Sequence, residues 1–193
     1  MEKIAIFASG SGTNAQRIIE YFKGDPSISV GIVLSNKPDA FVLERAEKAG
    51  IPTIVFDRKE FYGSERILAI LQEHKITFLV LAGFLWLVPD YLLRTYSGRI
   101  VNIHPALLPK YGGKGMYGMK VHESVINSGD KESGITIHLV NEKYDEGQIV
   151  FQAHCSVESN DTPESLAQKI HALEYEHYPR IIESLLKIQI NSQ

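Results

Sequence analysis

Short apolar runs rich in β-branched residues recur at positions 4–8, 30–34, 53–56, 78–82 and 100–103, and between them lie stretches of helical spacing at 15–22, 40–49, 64–74 and 89–96. Continuous apolar runs of this length suit strands buried on both faces of a parallel sheet. Strand and helix patterns in alternation predict an α/β fold with a doubly wound sheet.

After position 103 the rhythm changes. Residues 105–118 are rich in Pro and Gly, with Gly112, Gly113, Gly115 and Gly118 close together, and read as a long loop. A helix is expected at 119–127, then two strands at 134–140 and 148–157 joined by a polar segment at 141–147. Asp161-Thr162-Pro163-Glu164 supplies the cap, early proline and acidic charge of a terminal helix running to about Ile188, which Pro179 is expected to interrupt or kink. The expectation is therefore one doubly wound, mostly parallel sheet with a Rossmann-like N-terminal half and an antiparallel C-terminal addition. No repeat or linker divides it, so residues 1–193 read as a single domain.

Composition narrows the function. A hydrophobic fraction of 44%, a charged fraction of 22% and a formal net charge of -3 fit a globular protein and give no footing for nucleic acid or membrane. The single cysteine, Cys155, cannot form an internal disulfide, and no cysteine cluster offers a zinc site, which points to a reducing compartment and a cytoplasmic protein. The apolar start at 4–8 breaks too early into Ser and Gly for a signal peptide, and no run of about 18 apolar residues could span a bilayer.

Ser9-Gly10-Ser11-Gly12-Thr13-Asn14 stands where the first strand hands over to the first helix. Backbone amides at that junction, with the positive end of the helix dipole, suit a phosphate. Gly10, Gly12 and Ala15 also fit a permissive dinucleotide fingerprint, but that fingerprint wants an acidic residue after the second strand. Ser35-Asn36-Lys37 stands there instead, which counts against NAD more than NADP. A phosphate monoester is favoured; a dinucleotide and a merely structural turn remain open.

Asn102-Ile103-His104-Pro105 follows the fifth strand. Residues two apart on a strand share a side, so Asn102 and His104 are expected to project together near the carboxyl end of the sheet, where open α/β sheets hold ligands. An amide that can donate to an oxyanion beside an imidazole that can move a proton suits acyl transfer. Asp145-Glu146-Gly147 lies in the last turn, where Gly147 is expected to allow a backbone shape other residues resist. Asp145 brought near His104 would favour its charged form and orient it.

With Leu107-Leu108-Pro109, Gly134-Ile135-Thr136-Ile137-His138 and Asp145-x-Gly147, this segment resembles the folate-dependent formyltransferases. The 9–14 loop, Ser35-Asn36-Lys37, Leu81-Ala82-Gly83-Phe84 and Leu108-Pro109-Lys110-Tyr111 resemble the branch that formylates phosphoribosylglycinamide, over about residues 3–186. The resemblance implies transfer of a formyl group from 10-formyltetrahydrofolate to the amine of that ribose phosphate, in purine biosynthesis, without a metal or a covalent enzyme intermediate. It implies that Asn102 and protonated His104 stabilise the oxyanion, and that Asp145 raises the histidine pKa and aids a proton relay.

It further implies that Gly12, Thr13 and Asn14 hold the substrate phosphate, Glu174 the ribose hydroxyls, and Pro105 the path to the amine. Leu85, Trp86, Leu87 and Val88 match the folate-pocket segment, with Asn102, Val140 and Asn141 closing on the pterin. The chain departs from the family in having Leu85-Trp86 where Met-Arg is frequent, and the 112–119 loop is longer. The folate-contacting arginine aligns with either Arg58 or Arg66.

Other histidines carry less. His138 and His171 are candidates for supporting roles, whereas His122, His154 and His177 read as surface or packing residues and no set of histidines has metal-ligand spacing. Cys155 lacks an activating neighbour, and Trp86 could stack on a ligand or pack in the core. The rival family members, a methionyl-tRNA formyltransferase and a formyltetrahydrofolate hydrolase, are each expected to carry an accessory domain not read here. An NADP-binding regulatory module is the rival of a different class. The expected partners are the two small molecules, with no nucleic acid or membrane, and the chain is expected to be a monomer or homodimer.

Overall fold

The computed structural model describes residues 1–190, with side chains to 188. Seven strands form one sheet in the order β3-β2-β1-β4-β5-β6-β7. They are β1 (Glu2–Phe7), β2 (Ile28–Ser35), β3 (Thr53–Val55), β4 (Phe78–Leu81), β5 (Ile100–His104), β6 (Glu132–Leu139) and β7 (Ile149–Ser156). The first five are mutually parallel; β6 adds antiparallel to β5, and β7 antiparallel to β6. Both the doubly wound half and the antiparallel addition are as the sequence predicts.

The helices are α1 (Thr13–Tyr21), α2 (Phe41–Lys48), α3 (Arg58–Gly63), α4 (Arg66–Glu73), α5 (Asp90–Thr95), α6 (Met119–Ser128) and α7 (Pro163–Ile190). They cover both faces. Ile4 and Ile6 of β1 enter one core, with Ala15, Val42 and the α7 residues, while Ala5 and Phe7 enter the other, with Phe61, Ile67 and Leu71. Successive side chains of a strand point to opposite faces, which is why the strand sequences are apolar without alternation.

Two elements depart from expectation. A separate short helix, α3, precedes α4. Its start is a capping box: Asp57 Oδ1 accepts from the Glu60 N–H at 2.8 Å, and Glu60 Oε2 accepts from the Asp57 N–H at 2.9 Å. Asp57-x-x-Glu60 was legible as this signal. At the other end, α7 is not interrupted by Pro179. The proline sacrifices a helical hydrogen bond, costing about 3 kcal/mol, yet the stripe Leu166, Ile170, Glu174, Tyr178, Ile182 and Leu186 stays buried at every fourth residue on both sides of it. Tyr178 also donates to the carbonyls of Leu81 (2.8 Å) and Val101 (3.2 Å), fastening the helix to β4 and β5 beside the proline.

Candidate active site

The chain order of the sheet reverses between β1 and β4, and the loops leaving these two strands diverge to open a crevice at their carboxyl ends. A cleft of about 630 Å³ occupies this place, within the usual range for small-molecule sites. The 9–14 loop forms one wall, residues 82–85 after β4 another, and the end of β5 with the 113–118 loop a third, with Asp145, His171 and Glu174 also on the lining.

Gly12 caps α1 with φ 73°, a left-handed conformation, and a Cβ there would collide with Val42. Both features demand glycine. Ser9 Oγ donates to Asn36 Oδ1 at 2.6 Å and accepts from the Leu85 N–H at 3.1 Å, so Asn36 of the Ser35-Asn36-Lys37 segment braces the two walls. Among the described residues, the N–H groups of Ser11 and Gly12 meet no protein acceptor. With the first amides of α1 they form a set of donors suited to an anion.

Asn14 Nδ2 donates to Glu174 Oε2 at 2.9 Å, while Asn14 Oδ1 is buried and unpartnered. Glu174 is 6% exposed, and burial pushes its carboxyl up to about 7, with the Asn14 bond pulling the other way. The sequence reading assigned Asn14 to the loop but had no sign of its grip on a residue 160 positions away.

Asn102, His104 and Asp145 do converge. Asn102 pairs with His138 across the β5–β6 ladder and His104 with Thr136, so Asn102 and His104 share one face. Asp145 Oδ2 lies 3.5 Å from His104 Nδ1 and 3.0 Å from the Gly113 N–H that donates to it, while Oδ1 lies 3.5 Å from Asn102 Nδ2 and 3.6 Å from His138 Nε2. The Asp145 carboxyl is pushed up by burial, but the His138 hydrogen bond, the neighbouring His104 and the Gly113 N–H together hold it below its ordinary value.

His104 differs from the expectation of a raised pKa. Burial lowers it, and the Asp145 carboxylate and Tyr111 carbonyl pull upward without winning. The desolvation of a nearly enclosed imidazole exceeds the attraction of one carboxylate at 3.5 Å. His104 Nε2 is 2.8 Å from the Tyr111 carbonyl oxygen, which can only accept, so Nε2 carries a proton and Nδ1 is the nitrogen that titrates.

Tyr111 is the residue that sequence reasoning missed. Its φ is 57°, an uncommon conformation for an aromatic residue, and its hydroxyl is anchored at 2.8 Å to Asp130 Oδ2 and 2.5 Å to Ser128 Oγ. That tether holds the carbonyl against His104. Asp145 is likewise left-handed, at φ 56°, whereas Gly147 is not; glycine is needed at 147 because a Cβ would run into the Leu139 carbonyl. The unusual backbone of this turn thus belongs to the acid, not to the glycine.

His138 donates from Nδ1 toward the Leu139 carbonyl at 3.0 Å, and its Nε2 lies between Asn102 Nδ2 at 3.1 Å and Asp145 Oδ1 at 3.6 Å. His122, read from sequence as a surface or packing residue, is buried and lines the cleft; burial lowers its pKa to about 4, with His171 and His104 adding to the effect. His171 and Lys37 also line the cleft. His154 pairs with Glu132 at 3.0 Å and His177 packs on Phe151, as surface and packing residues do. Burial pushes the Cys155 thiol up, against any role as a thiolate.

Pro105 and Leu85 line the cleft, but Trp86, Leu87, Val88, Val140 and Asn141 do not. Trp86 sits among Phe56, Phe61, Tyr62 and Phe84 with Arg58 5.7 Å from its ring centroid. Val88 and Val140 belong to the same core. The Leu87 carbonyl accepts from Tyr62, and Asn141 Nδ2 donates to the Glu146 carbonyl. Arg66 is paired with Glu60. Among the described residues no group of His, Cys, Asp or Glu is placed to hold a metal ion, and no helix is long and apolar enough to cross a membrane.

One cleft of the α/β sheet thus holds both a loop of unpaired amides and an amide, imidazole and carboxylate cluster, and the chain belongs to the formyl transferase family, whose model matches residues 2–182. It is 37% identical over 191 residues to the phosphoribosylglycinamide formyltransferase of Bacillus subtilis, covering 96% of this chain and 95% of that one. The crystal structure of phosphoribosylglycinamide formyltransferase from Bacillus halodurans superposes with a TM-score of 0.86 at 41% identity, covering 96% and 95% of the two chains. The chloroplastic phosphoribosylglycinamide formyltransferase of Arabidopsis thaliana is 40% identical over 196 residues, covering 98% of this chain, which spans about two thirds of the length of the plant relatives. Within the family its branch is that of the phosphoribosylglycinamide formyltransferases.

Proposed function

We propose that this protein transfers a formyl group from 10-formyltetrahydrofolate to the amine of phosphoribosylglycinamide, a step of purine biosynthesis, within a single domain. The observation that carries the reading is the convergence of Asn102, His104 and Asp145 at one end of a cleft whose other end holds unpartnered loop amides and Glu174. A ribose phosphate bridges two such ends: its phosphate suits the amides of Gly12, Thr13 and Asn14, its hydroxyls suit Glu174, and Pro105 borders the route to the amine. The folate co-substrate supplies the formyl carbon on N10; Leu85 and Asn102 would meet it in the cleft, while Trp86, Leu87, Val88, Val140 and Asn141 are assigned through the family.

The residues divide the work. As the amine bonds to the formyl carbon, negative charge develops on the formyl oxygen, and the Asn102 amide donates to it. His104 is neutral in the free protein because it is buried, so its Nδ1 can take the proton that the amine must lose. Asp145 balances the charge that forms on the ring, and the proton then leaves for the departing nitrogen. The Tyr111 carbonyl keeps the Nε2 proton out of this traffic.

The test is a spectrophotometric assay of folate release with phosphoribosylglycinamide as acceptor. Transfer by the wild type, its loss in His104→Ala and retained phosphate binding in that variant are the expected results. Tight NADPH binding without binding of a folate analogue would refute the reading.

A further inference from the structure

We propose that Arg45 is a positioning residue for the acceptor's phosphate, shaping the 9–14 loop from behind rather than touching the ligand. The proposal rests on the reading of that loop as the phosphate site. Arg45 lies on α2 and lines a groove bordered by α1 and α2 residues, whereas the cleft is lined by the 9–14 loop and not by Arg45. Its Nε donates to the Ser11 carbonyl at 2.8 Å, and one turn earlier the Val42 N–H donates to the Gly10 carbonyl at 3.2 Å.

The consequence follows from peptide geometry. In a trans peptide the C=O of one residue and the N–H of the next point in opposite directions. With the carbonyls of Gly10 and Ser11 both drawn toward α2, the N–H groups of Ser11 and Gly12 turn away from it, toward the cleft. Among the described residues these two amides, like that of Gly10, meet no protein acceptor. Gly12 is further seated on Val42, where no side chain fits. The first turn of α2 is thus a template for the anion cradle, and Arg45 is the side chain that completes it.

Arg45 is built for a fixed pose. Its guanidinium lies 4.8 Å from the Phe41 ring centroid, a contact that holds the planar fork in one orientation. Two of its nitrogens remain outside the bond to Ser11, and its charge stays close behind the loop, adding a favourable field for an anion.

The experiment titrates inorganic phosphate into the wild type, Arg45→Met and Arg45→Lys, followed by phosphorus NMR, and measures the KM of each substrate. Arg45→Met should bind phosphate about tenfold more weakly, as loss of one charged hydrogen bond implies. The acceptor KM should rise by the same factor, while kcat at saturation, the folate KM and the unfolding midpoint stay unchanged. Arg45→Lys should recover part of the affinity. The ratio of wild type to Arg45→Met should persist at about 0.5 M salt, where screening shortens to a few ångströms.

Equal phosphate affinity in wild type and Arg45→Met, or a deficit that vanishes at high salt, overturns the positioning role. A fall in kcat, both KM values and the unfolding midpoint together also overturns it in favour of general stability. A wild type that binds phosphate through Arg45 but does not formylate phosphoribosylglycinamide leaves the positioning role standing and refutes the proposed acceptor.

Discussion

Replacing Glu174 by glutamine should stabilise the protein at high pH and leave its stability unchanged in mild acid. Glu174 is enclosed by α7, α1 and the cleft floor, and burial pushes its carboxyl from the ordinary 4.5 up to about 7. In the unfolded chain the same group titrates at its ordinary value. Below that value both states hold the proton and Glu174 contributes nothing to the pH dependence. Between 4.5 and about 7 the unfolded chain releases its proton while the folded protein keeps it, so the stability of the fold declines as pH rises; above about 7 both states are ionised and the loss levels off.

At about 1.36 kcal/mol per pH unit, the gap amounts to about 3 kcal/mol. For a chain of this length that is about 6–12 °C in the unfolding midpoint. Glutamine keeps the volume and the oxygen that accepts from Asn14 Nδ2, but carries no charge. Thermal unfolding of wild type and Glu174→Gln should therefore show midpoints that coincide near the acid end, diverge up to about pH 7 and stay apart by a constant amount above it. A difference that does not change with pH would refute the reasoning, because it would mean that Glu174 ionises in the fold as readily as outside it. The same variant should raise the acceptor KM, since a neutral amide is the weaker acceptor for a ribose hydroxyl.

Asn102→Ala removes one oxyanion donor and should cost about 2.7–4 kcal/mol of transition-state stabilisation, a two to three order loss in kcat measured at saturation. Tyr111→Phe releases the tether to Asp130 and Ser128 and should lower kcat by about tenfold, with about 1 kcal/mol lost in denaturant unfolding; an unchanged kcat would mean that the Tyr111 carbonyl does not control His104. Gly12→Ala places a Cβ against Val42 at φ 73° and should abolish phosphate binding in a direct titration while lowering the unfolding midpoint.

Much of the fold was legible because its signals are local. The strands show as apolar runs since both faces of the sheet are covered, and α1, α2, α5 and α6 begin and end within a few residues of the expected positions. Helix α3 has no counterpart among the expected elements, although Asp57 and Glu60 announce it. Pro179 does not interrupt α7 because helix propensity is a local quantity, and here it is outweighed by a buried stripe of six side chains and by Tyr178 bonded to two strands.

The site divides along the same line. From sequence alone, the spacing of Asn102 and His104 determines that they share a face, and the glycine at position 12 marks a left-handed turn at a helix start. Only the tertiary structure decides what the two catalytic candidates face. It brings Asp145 to both from 41 residues or more away, sets His138 opposite Asn102, and holds the Tyr111 carbonyl on His104 through a side chain anchored at Asp130. The pKa of His104 follows that division. Its partner carboxylate could be guessed from the chain, but the depth of burial that lowers the value against that partner is a property of the packed molecule, because desolvation depends on everything around a group and not on its neighbours in sequence.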